Sequence, residues 1–379
     1  MRIAIFTSGR FHVCDLAREL DALGHEVAFY SYVPRSRTRQ FGLPDRCNRC
    51  LLPWISPALL VGAAARISGI CAAGADHLLL RTLDGIGARL IDRCDVFIGM
   101  SGLAVRTAQA VRKKYGAKIW IERGSEHILS QKEIVEAIPN SNGSQQRFPA
   151  YAVERELKGY ELADTIVIPS LHVERSFTER GIAAAKLFRN PFGVALDMFP
   201  PTPMPPKEPP TIIMTGAWSR RKGCDVLLDA WRGMSGVKLL HVGPVLDLPL
   251  PDDALFEHHD AVDQRSLNAF YARAHVFALA SREEGLALVQ AQALASGLRV
   301  VCTDRTGGQD LGVLLGAGDL IDVVPTDDAA TFRAALARAL DRALKTIEEG
   351  TRDILGERRE LLSWKAYGQR YSKALKERM

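Results

Sequence analysis

Short apolar runs alternate along this chain with longer stretches whose apolar positions recur every three or four residues. Runs at residues 3–6, 27–30, 96–98, 118–122 and 165–168 predict strands, and the stretches 15–23, 103–115, 153–162 and 173–180 predict helices between them. Such alternation builds βαβ units and a parallel sheet. At residues 200–210 the pattern stops in PPTPMPPKEPP, which supports neither a helix nor a central strand and predicts a stiff linker. It then restarts, with strands expected at 211–215, 238–242, 256–258, 276–280 and 299–302, and helices at 224–232, 265–273 and 286–296. Residues 357–379 read as a closing helix. The expected fold class is therefore α/β: two Rossmann-like, doubly wound domains, 1–199 and 211–356, facing a central cleft. Ligands of such sheets bind beyond the carboxyl ends of the strands, here between the domains.

Composition narrows the picture. A chain of 379 residues is too long for one ordinary core, and 47% hydrophobic with 25% charged residues is a soluble globular balance. The apolar run at the N-terminus is too short for a signal peptide, and seven cysteines, an odd number, point to a reducing, cytoplasmic compartment. Cys47 and Cys50 form a lone CxxC without the second ligand pair that zinc requires, so no metal site is expected. Charge is uneven: residues 1–200 carry 26 Lys and Arg against 20 Asp and Glu, and the remainder is close to balanced. No nucleic-acid motif accompanies this surplus. Residues 50–65, CLLPWISPALLVGAAA, carry no charge and follow Arg35, Arg37, Arg39, Arg46 and Arg49. The segment is too short to span a bilayer. Two readings stay open for it: an interfacial membrane patch, with peripheral association at the inner face of the cell membrane, or a buried helix pair behind a solvated basic loop.

The densest candidate chemistry lies at residues 280–297, ASREEGLALVQAQALASG. An apolar strand ends in Glu283-Glu284-Gly285, a helix follows, and Gly297 closes it. Free N–H groups at a helix start hold phosphate, whereas a carboxylate beside them accepts from sugar hydroxyls. Together they suit a sugar nucleotide. Glu284-Gly285-Leu286-Ala287-Leu288 and Gln292-Ala293-Leu294-Ala295-Ser296-Gly297 resemble the E-x7-E segment of glycosyltransferase family 4, retaining enzymes of the GT-B fold. The second Glu of that pattern is Gln292 here, and the usual Phe-Gly is Leu286-Ala287.

The resemblance implies roles for further residues. The loop from Thr215 to Gly223, TGAWSRRKG, is similar to the family's G-R-x4-K-G loop, which holds the donor diphosphate. It places Lys222 on the Lys position and Ala217 where Arg is usual, with Gly216, Arg220 and Arg221 beside them. Lys222, Glu284 and His127 are the expected catalytic residues, the last from a loop that in the family lines the reaction centre. Donor contacts are expected from Arg123, Glu283, Gly285, Leu286, Ala287 and Gln292, with Gly9 and Arg10 after the first strand and Val262 near the base. The glycine loop Thr306-Gly307-Gly308 is similar to one beside the donor. The closing helix is similar to one that crosses back onto the first domain. No D-x-D triplet occurs, which agrees with a metal-independent site where Lys222 and helix ends face the diphosphate. The resemblance implies a hexosyltransferase that needs no cofactor beyond its substrate. It would take a UDP- or GDP-type donor sugar and a polysaccharide or lipid-linked glycan acceptor in cell-envelope biosynthesis, with retention of configuration. Alternatives are a decayed sugar-nucleotide-binding or scaffold protein, argued from Ala217, Ala287 and Gln292, and a GT-B epimerase or hydrolase.

Overall fold

The computed structural model describes residues 1–67, 72–139, 147–345 and 352–379. Its first sheet has strands β1 (Arg2–Phe6), β2 (Glu26–Ser31), β3 (Asn48–Cys50), β4 (Val96–Met100), β5 (Lys118–Glu122), β6 (Thr165–Ile168) and β7 (Leu187–Arg189). The second has β8 (Thr211–Thr215), β9 (Lys238–Val242), β10 (Phe256–His259), β11 (Val276–Leu279), β12 (Arg299–Thr303) and β13 (Ile321–Val324). All neighbouring strands run parallel, in the orders β3-β2-β1-β4-β5-β6-β7 and β10-β9-β8-β11-β12-β13. Central strands such as VFAL at β11 are buried at every position, because helices cover both faces of each sheet. The short strands β3, β7 and β13 lacked a long enough apolar run to be found by pattern alone.

The strand order reverses once in each sheet: between β1 and β4 in the first, between β8 and β11 in the second. At these switch points the connecting loops diverge and leave a crevice. The loops after β1, β8 and β11 are therefore where a ligand site belongs. Residues 200–210 contain no helix and no strand of either sheet.

The closing segment differs from the single helix expected. Gly356–Leu362 is a 3-10 turn, and Ser363 then caps the helix Trp364–Glu377, accepting from the Ala366 N–H at 3.0 Å. That helix packs against Phe11–Ala22 of the first domain. Its Tyr371 is buried between Trp120 and Phe188, and the phenol donates to Glu122 at 2.7 Å.

Candidate active site

Lys222 lies in the loop after β8, and Glu284 in the loop after β11, on the two sides of the second sheet's switch point. Their side chains form an ion pair. Gly223 explains how loops so distant in sequence meet. Its backbone is left-handed, and a side chain there would collide with the Ala280 carbonyl, so only glycine permits this approach. The Arg221 carbonyl then accepts from the Arg282 N–H at 2.9 Å and from the Ser281 hydroxyl at 3.1 Å, which stitches the loops together. Arg282 anchors the assembly by bonding both oxygens of Asp225, at 2.7 and 3.0 Å.

The helix after Glu284 starts later than the sequence suggested, at Leu288 rather than Leu286. Leu286 and Ala287 are buried packing residues, and the Ala287 N–H bonds the Thr306 carbonyl at 3.1 Å. Gln292 lies on this helix and is only 5% exposed. Its Oε1 is buried and accepts no hydrogen bond from the described residues. An orphaned acceptor of this kind is costly, and no group among the described residues offsets it here.

Gln292 lines a cavity of about 760 Å³ between the two domains. The first domain contributes Arg10, Phe11 and His12, from the end of β1 and the helix that follows. Phe11 has φ 36, an uncommon backbone for a bulky residue, in the wall of the cavity. The Arg10 guanidinium lies 3.5 Å over the Phe41 ring and bonds Asp15 at 3.1 Å. Gly9 precedes it, and a side chain there would press on the Phe11 ring. The sequence reading did not select His12. Its Nε2 contacts the buried Glu122 carboxylate at 2.9 Å, and its ring packs on Phe192. Nδ1 makes no hydrogen bond with the described residues. A carboxylate behind one ring nitrogen, with the other free beside a cavity, orients an imidazole for proton transfer. The only sequence signal was a His just past the first strand.

The loops after β5 and β6 close directly on the loop after β11. Glu283 accepts from the Ser125 hydroxyl and, at 3.1 Å, from Gln131, with Arg221 at 3.7 Å. Glu283 is thus committed to inter-domain contact. A methyl at Gly285 would run into the Gly124 carbonyl. The Ser170 hydroxyl donates to the Gly285 carbonyl at 2.6 Å, and His172 Nε2 to the Glu284 carbonyl at 2.9 Å. Asp310, in the helix Gly308–Leu315, accepts from the Leu171 N–H and from Arg189, both at 3.0 Å. Burial raises the Asp310 carboxyl above its usual range and lowers His172.

His127 and Arg123 are placed elsewhere than expected. His127 is 2% exposed, with its ring between Tyr160 and Phe177 in the first domain's core. It caps the helix Ile128–Ala137, its Nδ1 accepting from the Leu129 N–H at 3.3 Å, and this turns the ring from the cleft. Burial pushes its pKa down to about 4. Arg123 is buried too, bonded to Glu156 at 3.0 Å, to Gln131 at 2.7 Å and to the Glu126 carbonyl. Both residues shape the loop that meets Glu283 rather than joining Lys222 and Glu284.

Arg220 turns toward Asp225 at 3.8 Å, into a second, smaller cavity. Gly216 has φ 126, and its carbonyl accepts from His241 Nε2 at 2.9 Å. His241, on β9, stacks on His258 of β10. Val262 is partly exposed in the loop before the helix Gln264–Tyr271 and does not line the large cavity. Among the described residues no group of three or more His, Cys, Asp or Glu converges as metal ligands.

Comparison with known proteins agrees with this architecture. The family Glycosyl transferases group 1 matches residues 209–342. No curated protein sequence matches the chain. Among solved structures, sucrose-phosphate synthase from Thermosynechococcus elongatus superposes with a TM-score of 0.65 at 16% identity, covering 100% of this chain and 98% of that one. Anabaena HepE in complex with UDP and glucose gives 0.65 at 12% identity, over 100% of both chains. The lipopolysaccharide outer core galactosyltransferase WaaB, in its apo form, gives 0.65 at 13% identity, again over 100% of both. The chain is thus a two-domain GT-B protein, and its second domain carries the match to glycosyl transferases group 1.

Proposed function

We propose that this protein transfers a sugar from a nucleoside-diphosphate donor to an acceptor hydroxyl. The observation that carries the reading is the Lys222–Glu284 pair at the switch point of the second sheet. Each partner suits one half of the donor. On binding, the Lys222 ammonium turns to the diphosphate and Glu284 to the sugar hydroxyls, so an internal ion pair is exchanged for two charge-assisted contacts. The orphaned oxygen of Gln292 accepts from a ribose hydroxyl. A UDP-type donor is favoured because the similarly folded HepE holds UDP and glucose.

The reaction we propose retains configuration. The bond from the anomeric carbon to the diphosphate oxygen breaks, and the acceptor oxygen bonds the same face of that carbon. The departing oxygen takes the acceptor's proton, and Lys222 stabilises the charge that develops there. A second reading rests on His12. With Glu122 behind its Nε2 at 2.9 Å, His12 would remove the acceptor proton through Nδ1, and attack from the opposite face would invert the centre. The acceptor in either reading is a polysaccharide or lipid-linked glycan.

The test is incubation of the purified protein with UDP-, GDP- and dTDP-sugars and glycan acceptors, with NMR of the product. Transfer with the donor's anomeric configuration supports the first reading, and the opposite anomer supports the second. Donor consumption without acceptor would show a hydrolase or epimerase. Absence of any thermal shift with every nucleotide, where ligand at 100 times its Kd should add about 2.7 kcal/mol, would oppose a working donor site.

A further inference from the structure

The uncharged segment after β3 forms the helix Leu52–Ile67, packed against Ala72–Leu90. One side joins the first domain's core through the fully buried Ile55 and the partly buried Leu52, Ala58 and Leu59. The other side faces out. Pro53, Trp54, Pro57, Leu60, Val61 and Ala64 are exposed, and at 100° per residue they fall within one stripe about a third of the helix wide. A soluble surface helix carries polar residues at these positions. This one carries none: Trp54 is 62%, Leu60 72% and Val61 54% exposed. The sequence left a buried pair as one alternative; the stripe is not buried.

Positive charge flanks the root of this helix. Arg49 is exposed, three residues before Leu52. The short helix Arg35–Arg39 is pinned to β3, where Asn48 donates to the Thr38 hydroxyl at 2.6 Å. Arg39 and Arg46 pair with Asp45 and Asp21. Arg35 and Arg37 are exposed and form no ion pair with the described residues.

We propose that this stripe docks on an anionic lipid bilayer, with Trp54, Leu60 and Val61 at the depth of the acyl boundary and the arginines on lipid phosphates. An apolar face rimmed by cations matches such an interface. A second copy of the chain fits less well, because a symmetric contact would bring the two cationic rims together. No helix among the described residues is long and apolar enough to cross a membrane, so the contact lies in the plane of the interface. This inference does not depend on the glycosyl-transfer reading.

The experiment is co-sedimentation of the full chain with phosphatidylcholine vesicles, with and without phosphatidylglycerol. The comparison variants are the triple W54S/L60S/V61S and the double R35E/R37E. Wild type should partition onto the anionic vesicles, and each variant should bind at least roughly tenfold less. Trp54 emission should shift to the blue, because the other four tryptophans, Trp120, Trp218, Trp231 and Trp364, are buried. Unchanged melting temperature of the variants shows that folding is intact. Wild type that ignores anionic vesicles, or a triple variant that binds as well as wild type, overturns the proposal. Self-association lost in the triple variant, without vesicle binding, assigns the stripe to a second copy instead.

Discussion

Lys222 and Glu284 stand 62 residues apart in sequence, on loops from two adjacent strands, yet their side chains neutralise one another at the carboxyl edge of the second sheet. Each is the other's placeholder, which has a consequence for mutagenesis. Lys222→Ala should lower kcat by more than about 100-fold with the fold intact. Adding Glu284→Gln should cost much less than the product of the two single losses, because the residues act as a unit. Steady-state rates and melting curves of the three variants decide the matter; a Lys222→Ala effect under about threefold removes the lysine from the chemistry.

Gln292 should show opposite effects on stability and on binding. Its orphaned Oε1 carries an uncompensated desolvation cost, on the order of 1–3 kcal/mol. Gln292→Leu, similar in volume, should therefore leave the melting temperature of the free protein equal or higher while weakening nucleotide affinity by about tenfold. Scanning fluorimetry and calorimetry read the two quantities separately. A destabilised variant with unchanged affinity would mean that the amide serves the fold alone.

Gly285 sets how closely the domains approach. Gly285→Ala places a methyl against the Gly124 carbonyl and should hold the cleft open. Small-angle scattering should then report a larger radius of gyration than for wild type, with donor affinity reduced. Identical scattering curves would show that the contact yields without cost.

Protonation of His127 links stability to pH. Its pKa is about 4 in the folded chain and 6.5 when exposed, so the unfolded state binds the extra proton between those values. Stability contributed by this group is full above about pH 6.5 and declines as pH falls toward 4. His241, also pushed down to about 4 by burial, adds in the same direction. His127→Asn keeps a capping side chain and removes the titration, so its melting temperature should fall less steeply across this window. Parallel curves for the two proteins would refute the linkage.

The two-sheet plan was legible because parallel strands buried on both faces must be written as apolar runs, and because PPTPMPPKEPP interrupts the pattern where one sheet gives way to the next. Lys222, Glu284 and Gln292 were singled out by the spacing of their segments; the structure pairs the first two and leaves the third, on its helix, with a buried oxygen unpartnered among the described residues. His127 illustrates the limit. Its position after a strand was read correctly, but the direction of its ring is set by Tyr160 and Phe177, from later segments, and by its own capping bond. His12 shows the converse: Glu122 lies 110 residues away, and only the pairing of β1, β4 and β5 brings the two together. The stripe around Trp54 could not be told from core by sequence, since an apolar helix reads the same whether its outer side is covered or bare.

Tyr371 reaches Glu122 from beyond the entire second sheet. During synthesis the ribosome must therefore finish the second sheet before the carboxylate behind His12 acquires its phenol partner. The first sheet can assemble as it emerges, but its cleft-facing chemistry waits for the last helix. The two halves are consequently poor interchangeable modules. A chimera that grafts this first domain onto a foreign second domain must carry the helix Trp364–Glu377 with it, or it inherits an imidazole whose support has been left behind.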